Sequence, residues 1–152
     1  MIQFQDFRPI VRIKLLNSKA RLPKYVHKGD SGADLFSTID CTLQPMERKA
    51  IPTGLTAEVP KGFELQVRPK SGLALHSGIT VLNTPGTIDY GYRGEIKVIL
   101  INLNTEPYHI RAGQKIAQLV VAPVACAEFK VVEQLSETKR GEGGFGSTGL
   151  DK

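Results

Sequence analysis

The sequence predicts an all-β protein, built as an antiparallel sandwich or barrel, and three observations lead to this prediction. About ten short runs that are apolar or alternate with a period of two follow one another at close spacing. Glycine and proline punctuate the runs, and only Ser71–Ser77 could form even a short helical turn. The strand–helix–strand rhythm that builds parallel sheets is missing.

The first predicted strand is Val11–Leu16, where apolar and basic residues alternate before the run becomes fully apolar. Asn17–Gly32 is polar and loop-like, with one proline and two glycines. Four short strands should follow, because proline, glycine and aspartate separate them at turn-like positions. They are Ala33–Thr38, Thr42–Gln44, Arg48–Ile51 and Leu55–Val59.

Phe63–Arg68 alternates most cleanly, so one set of its side chains should be buried and Arg68 should close the solvent-facing set. After the possible helical turn, Ile79–Leu82 and Glu95–Leu103 are separated by glycine-rich turn residues and should form a hairpin. Lys115–Val124 and Glu128–Val132 complete the set of predicted strands.

A chain of 152 residues most simply forms one domain, here predicted over residues 1–138. Residues 139–152 differ in composition, with five glycines between positions 141 and 149 and no apolar periodicity. They should form a flexible tail, and one possibility is that this tail closes over an anion, because glycine lets backbone N–H groups converge on phosphate oxygens.

Composition points to an ordinary globular protein, with 41% hydrophobic and 23% charged residues. No signal peptide or membrane-spanning run is visible, so we expect a cytoplasmic protein without membrane contact. The net charge of +5 makes an anionic partner plausible, but the basic residues are scattered, so stable nucleic-acid binding is not expected. Cys41 and Cys126 are interpreted as small buried hydrophobes.

The stretch from Asn83 to Glu95 carries the strongest chemical signal. It places one carboxylate, Asp89, and one aromatic ring, Tyr92, on short, sharply bent backbone between two strands. Such a hairpin can offer unpaired N–H and C=O groups to a flat ligand while the ring covers a sugar or base. On this stretch alone, an ordinary glycine-rich hairpin with a solvated aspartate remains an equal alternative.

Four other segments place glycine beside polar or charged residues, and with the hairpin they form a fixed series along the chain. They are Ser31–Leu35, Arg68–Ala74, Gly113–Leu119 and Arg140–Gly149. In this order the five segments resemble the five motifs of the homotrimeric dUTP pyrophosphatases, the dUTPases, over nearly the whole chain.

The resemblance implies a jelly-roll subunit and a homotrimer with three active sites at subunit interfaces. Each site would take the first, second and fourth motifs from one chain, the hairpin from a second and the tail from a third. The implied reaction is Mg²⁺-dependent hydrolysis of dUTP to dUMP and pyrophosphate. It would keep uracil out of DNA and supply dUMP for thymidylate synthesis.

The hairpin residues acquire roles from this resemblance. Asp89 would act as the general base that activates a water for in-line attack on the α-phosphate. Tyr92 would lie against the deoxyribose, where a 2′-hydroxyl would clash. The residues implied to read the uracil edge are Asn83, Thr87, Ile88, Asp89 and Lys97.

The other motifs would hold the triphosphate. Lys70, Ser71 and Gly72 resemble a phosphate cradle, and Gln118 would reach the phosphates or the attacking water. Arg68 would pair with Asp34, which would also face the hydration shell of Mg²⁺, itself bound on the triphosphate without a direct protein ligand. An ordinary exposed Arg–Asp pair is the alternative. The tail residues implied to close over the substrate are Arg140, Phe145, Gly146, Ser147 and Thr148.

Two other functions are alternatives to this one. A dCTP deaminase shares the implied fold and trimer, but its Arg-Ser-Ser type second motif is replaced here by Lys70-Ser71-Gly72. A basic β-sandwich that only binds a ligand fits the charge and leaves the five ordered motifs unexplained. The role of Tyr90 stays open, because its position in the hairpin departs from the family pattern.

Overall fold

The computed structural model describes residues 8–144, and within them the chain forms eleven strands and one short helix. In chain order these are β1 (Arg12–Leu15), β2 (Ala33–Phe36), β3 (Cys41–Leu43), β4 (Arg48–Pro52), β5 (Leu55–Glu58), β6 (Phe63–Arg68), α1 (Ser71–Ser77), β7 (Ile79–Val81), β8 (Gly86–Ile88), β9 (Lys97–Asn102), β10 (Tyr108–Ile110) and β11 (Lys115–Pro123).

The strands form four sheets, and every ladder between them is antiparallel. The largest sheet has the order β2-β11-β6-β8, and a second has the order β4-β9-β7. The strands β1 and β5 form one two-stranded sheet, and β3 and β10 form another. The predicted all-β antiparallel fold is therefore confirmed.

Side chains from both large sheets meet in one hydrophobic core. In β6, Leu65 and Val67 are buried while Arg68 is exposed, which confirms the predicted alternation. Val98 and Leu100 of β9 enter the same buried cluster from the three-stranded sheet. The core thus fixes which face of β6 remains available for polar side chains.

Helix α1 has the predicted bounds and ends at Gly78. This residue adopts the left-handed conformation (φ 64°), and a Cβ atom there would approach the backbone nitrogen of Asn104 to 3.0 Å. Glycine is therefore required both by the conformation and by the close approach. Within residues 8–144 there is no helix with the length and apolar character needed to cross a membrane.

The prediction of a strand at Glu128–Val132 is wrong. The last hydrogen bond that ties this part of the chain to the core joins the Val124 nitrogen to the Gly62 carbonyl, at 2.9 Å. Between Val124 and Gly144 the chain forms no helix or strand, and Phe129 and Val131 are 95% and 103% exposed. The sequence pattern is that of a strand, but in the part of the chain that the structure describes no strand pairs with it and no apolar surface covers it.

Two short strands were not predicted, β8 inside the glycine-rich hairpin and β10 before the fourth motif. Each has only three residues and depends on its neighbour, β6 and β3 respectively, for pairing. The strand predicted from Glu95 begins only at Lys97, where the pairing with Pro52 of β4 ends, and the Ile96 nitrogen before it donates to the Leu55 carbonyl at 2.7 Å.

Candidate active site

Three residues from three different motifs lie side by side across the largest sheet. Gln118 of β11 is in register with Asp34 of β2 on one side and with Arg68 of β6 on the other. Residues directly opposite in a ladder point to the same face. Their neighbours in the next register row, Val67 and Leu119, are buried in the core. The three polar side chains therefore share the opposite face.

Asp34 is a buried carboxylate held between two lysines. Its side chain is only 6% exposed, and its Oδ1 accepts a hydrogen bond from Lys70 Nζ. Lys115 Nζ lies 2.7 Å from Oδ2 and forms an ion pair with it. Burial tends to raise the pKa of Asp34, but contacts with Lys115 and Lys70 outweigh it and lower that pKa below its ordinary value.

The expected pairing of Arg68 with Asp34 is not found. Arg68 Nε and Nη2 donate to Oε1 of Gln66 at 3.0 and 2.6 Å, and Gln66 in turn donates to Glu64. The three residues alternate along the same face of β6, so they can form a chain of hydrogen bonds. Lys70 is the nearer partner of Asp34 because it lies on the connection to α1.

The sequence pattern does not identify Lys115 as a residue of the site, because a β-bulge changes the face of the sheet on which it lies. Regular alternation along β11 would put Lys115 and Gln118 on opposite faces. The register with β2 shifts between Lys115 and Ala117. Lys115 therefore lies opposite Phe36, whereas a regular ladder would place it opposite Ser37. The extra residue brings Lys115 to the face of Asp34, as bulges near functional sites often do.

Gln118 is held close to two backbone segments. Its Nε2 donates to the Pro69 carbonyl at 3.0 Å, next to the start of α1. Gly32 lies so close that a Cβ atom there would overlap the Gln118 amide. The glycine of the first motif therefore leaves room for the glutamine of the fourth.

The predicted phosphate cradle lies at the start of α1. Lys70 has extended backbone and its carbonyl accepts a hydrogen bond from the Ala74 nitrogen at 3.0 Å. Ser71 and Gly72 are exposed, and a Cβ atom at Gly72 would meet open space. Lys70 thus contacts Asp34, and Ser71 and Gly72 beside it are accessible from outside.

The hairpin residues form a separate pocket of about 300 Å³. It contains four of the residues predicted to bind substrate, Thr87, Ile88, Tyr92 and Lys97. The remaining lining residues are Ala50, Glu95, Ile96 and Ile99. This volume is at the lower end of what small-molecule sites occupy. Lys97 Nζ is 3.8 Å from Glu95, so its charge is partly balanced.

Asn83 and Asp89 lie at the two ends of the hairpin strand β8. The Asn83 amide packs against Gly86, where a Cβ atom would come within 3.2 Å of its nitrogen. Asp89 is exposed, and its carbonyl accepts a hydrogen bond from the Tyr92 nitrogen at 3.0 Å, which closes the turn. The turn is braced by Arg93, whose Nη1 donates to the carbonyls of Tyr90 and Tyr92.

By register, Asp89 is distant from Lys70 of its own chain. It directly follows Ile88, which pairs with Leu65, three residues before Arg68. Three residues of a strand span about 10 Å, and Lys70 lies further along. The structure thus groups the predicted residues into two sets, the cluster around Asp34 and the hairpin pocket.

Tyr92 is positioned by Gly94. The phenol donates to the Glu95 carbonyl at 3.1 Å, and the ring lies where a side chain on Gly94 would be. Neither Gly94 nor Gly91 has a positive φ, so alanine is compatible with both backbones.

We expect Gly94→Ala to weaken nucleotide binding about fivefold while the fold is kept, because the new methyl group displaces the Tyr92 ring, and a correctly placed aromatic contact is worth about 1 kcal/mol. Titration with a non-hydrolysable dUTP analogue measures the effect. Gly91→Ala is the matched control, since its Cβ atom would meet nothing within 4 Å. Equal affinities for the two variants would contradict the role given to Tyr92.

Of the predicted tail residues, Arg140 is described. It is exposed, and its Nε donates to the Gly143 carbonyl in a local turn, at 2.8 Å. Phe145, Gly146, Ser147 and Thr148 lie outside the described residues.

Comparisons with known proteins agree on one family. The family model for dUTPase matches residues 18–149. The chain is 56% identical over 138 residues to a deoxyuridine 5'-triphosphate nucleotidohydrolase of Clostridium novyi (strain NT), covering 91% of this chain and 97% of that one. It is also 56% identical over 139 residues to the protein of the same name from Nautilia profundicola, covering 91% and 98%.

Solved structures give the same result. A mutant dUTPase of Staphylococcus bacteriophage 80alpha with dUpNHpp superimposes with a TM-score of 0.87 at 30% identity, covering 93% of this chain and 99% of that one. A mutant dUTPase of phage phi11 of S. aureus, for which coordination of a structural Mg(II) ion is described, gives a TM-score of 0.79 at 27% identity, covering 84% and 99%.

Fold and site together define an antiparallel β protein with a lysine–carboxylate cluster on one sheet and a pocket on a neighbouring hairpin. Because the dUTPase family model matches residues 18–149, the chain belongs to the dUTPase family.

Proposed function

We propose that this protein hydrolyses dUTP to dUMP and pyrophosphate. The observation that carries the proposal is the hairpin pocket, in which four residues expected from the family motif to bind substrate line one cavity beside Asp89. The two relatives named deoxyuridine 5'-triphosphate nucleotidohydrolase, which match nine-tenths of this chain, support the same reaction.

The pocket is suited to a pyrimidine nucleoside. Ile88 and Ile99 give it apolar walls, and the backbone of Thr87 and Ile88 can present fixed donors and acceptors to the edge of the base. Cytosine carries an amine where uracil carries a carbonyl, so the same pattern would leave buried groups unpaired with cytosine. Asn83 and Lys97 would contribute to this recognition, and Tyr92 would face the deoxyribose.

Asp89 would supply the base for the chemical step. An exposed carboxylate on a braced turn can accept the proton of a water as that water's oxygen forms a bond to the α-phosphorus. The bond from the α-phosphorus to the bridging oxygen breaks at the same time, and pyrophosphate leaves with the electron pair. The brace of Arg93 would hold the carboxylate in place.

Lys70, Ser71, Gly72 and Gln118 would hold the phosphates from the other residue cluster, with Arg140 and the tail closing over them. Hydrogen bonds from charged donors stabilise developing negative charge more strongly than neutral ones. Arg68 would act through its bond with Gln66 rather than through Asp34.

We also propose that Mg²⁺ is carried by the triphosphate. Within residues 8–144 no group of three or more metal-ligand side chains exists, and the carboxylate of Asp34 already faces two lysines. A carboxylate that is already paired in this way would contact the ion through a water molecule. The hydrated Mg²⁺ itself would be held by phosphate oxygens. When bound, the ion would neutralise phosphate charge.

A homotrimer would bring the two residue sets of different chains together. The register separation between Asp89 and Lys70 supports a site built from more than one subunit. The exposed apolar side chains of residues 124–138 support it as well, because Phe129, Val131 and Leu135 are each at least 80% exposed. Burial against a second copy would remove that surface from water.

Light scattering should therefore give a particle of three times the 16.6 kDa chain mass. Phe129→Ser should shift the population toward smaller species, since it removes a large apolar contact. A wild-type protein that stays monomeric at micromolar concentration would contradict the shared site.

Substrate profiling tests the activity directly. The protein is incubated with dUTP, dCTP, dTTP or UTP in the presence of Mg²⁺, and pyrophosphate and ammonia are measured. Pyrophosphate from dUTP alone is expected, whereas ammonia from dCTP would indicate a deaminase and no product at all would indicate a binding module. We propose that this reaction takes place in the cytoplasm, where it would limit uracil in DNA and supply dUMP for thymidylate synthesis.

A further inference from the structure

Among the described residues the carboxylate of Asp34 has two cationic partners, and only one of them belongs to the predicted phosphate cradle. Lys70 contacts Oδ1 and lies next to Ser71 and Gly72, whereas Lys115 contacts Oδ2 from the bulge in β11. The Asp34 side chain is 6% exposed, while those of Lys70 and Lys115 are 29% and 48% exposed. The acid is thus buried, and both lysine side chains are partly exposed to solvent.

A nucleoside triphosphate at the cradle would compete with Asp34 for Lys70. Phosphate oxygens carry several negative charges and form strong bonds with an ammonium group. If Lys70 turns toward them, Oδ1 loses its partner, and a buried carboxylate left without compensation is strongly destabilised. Lys115 can keep compensating the charge, because it approaches the other oxygen.

We propose that Lys115 is a positioning residue that compensates Asp34 and thereby releases Lys70 to the triphosphate. This inference rests on the proposed function. Lys115 acts through Asp34 and does not itself need to touch the substrate. Without Lys115, Asp34 would retain Lys70 as its sole cationic partner, and nucleotide binding would have to break that pair.

The proposal predicts a specific pattern of kinetic constants. Lys115→Met should raise the KM for dUTP about tenfold and change kcat less than threefold, because binding rather than the attack on phosphorus is affected. Lys115→Arg should restore KM to within about threefold of wild type, since a cation returns to Oδ2. An arginine variant as impaired as the methionine variant would contradict the proposal.

Lys24→Met is the matched control for general electrostatic attraction. Lys24 lines the same surface pocket as Lys115, and its ammonium forms no ion pair within residues 8–144. Removing its charge should leave KM within about twofold of wild type. A tenfold effect here would mean that any nearby positive charge matters, which would overturn the specific role of Lys115.

A double-mutant cycle with Asp34→Asn gives the decisive test. Binding of a non-hydrolysable dUTP analogue is measured for wild type, Lys115→Met, Asp34→Asn and the double variant, and thermal unfolding is followed for each. With asparagine at position 34 there is no charge to compensate, so Lys115→Met should have no further effect. A tenfold loss in both backgrounds would show that Lys115 contacts the nucleotide itself.

Two possible failures can be told apart. If Lys115→Met does not fold, Lys115→Gln repeats the same cycle. If wild type releases no pyrophosphate from dUTP, the proposed function fails. If wild type is active and the effects of the two substitutions are additive, only the role of Lys115 fails.

Discussion

Asp89→Asn is expected to lower kcat by about a thousandfold while nucleotide affinity stays within a few fold of wild type. General base catalysis contributes roughly 10²- to 10⁴-fold to rates, and asparagine cannot accept the proton of the attacking water. The substitution nearly conserves shape at an exposed position, so the fold should not change. Single-turnover hydrolysis of dUTP, combined with titration of a non-hydrolysable analogue, measures both quantities.

Asp40→Asn is the matched control for this substitution. Asp40 is also exposed, and its Oδ1 accepts a hydrogen bond from the Ala112 nitrogen at 3.3 Å, which an asparagine oxygen can replace. Its activity should equal that of wild type. An Asp89→Asn enzyme that turns over at a near wild-type rate would remove Asp89 from the role of base.

Ending the chain at Thr138 is expected to reduce kcat/KM by about a hundredfold or more, because each charge-assisted hydrogen bond lost with the tail is worth about 1.5–3 kcal/mol. The fold and the trimer should persist. The regular structure of the described chain ends at Pro123, and the contacts of Arg140 and Gly141 are local to the turn that begins at Thr138. Steady-state kinetics, thermal unfolding and light scattering separate these effects.

A shorter truncation that removes only Asp151 and Lys152 provides the control, since neither residue belongs to a predicted motif. It should retain full activity. If the chain ending at Thr138 also turns over dUTP normally, the glycine-rich segment has no part in catalysis.

The sequence predicted most of the scaffold correctly where local patterning and burial agree. Phe63–Arg68 alternates in sequence, and its apolar members are buried in the structure. The bounds of Ser71–Ser77 are also correct, because Gly78 provides a natural end to the helix. Glu128–Val132 has the same kind of pattern, but a strand forms only where a neighbour pairs with it.

The candidate site required tertiary information at three points. The partner of Asp34 is Lys70 rather than Arg68, because the turn into α1 brings the lysine back over β2 while Gln66 retains the arginine. Lys115 joins the cluster only through the bulge. The separation of Asp89 from this cluster follows from the pairing of β8 with β6.

The sequence by itself determined the all-β class, the alternation of β6 and the five ordered motifs, because each depends on residue type and local spacing. Only the tertiary structure decided which charged groups meet. Ion pairs and bulges depend on strand register, and register is set by how distant segments pack on a common core, which local spacing does not encode.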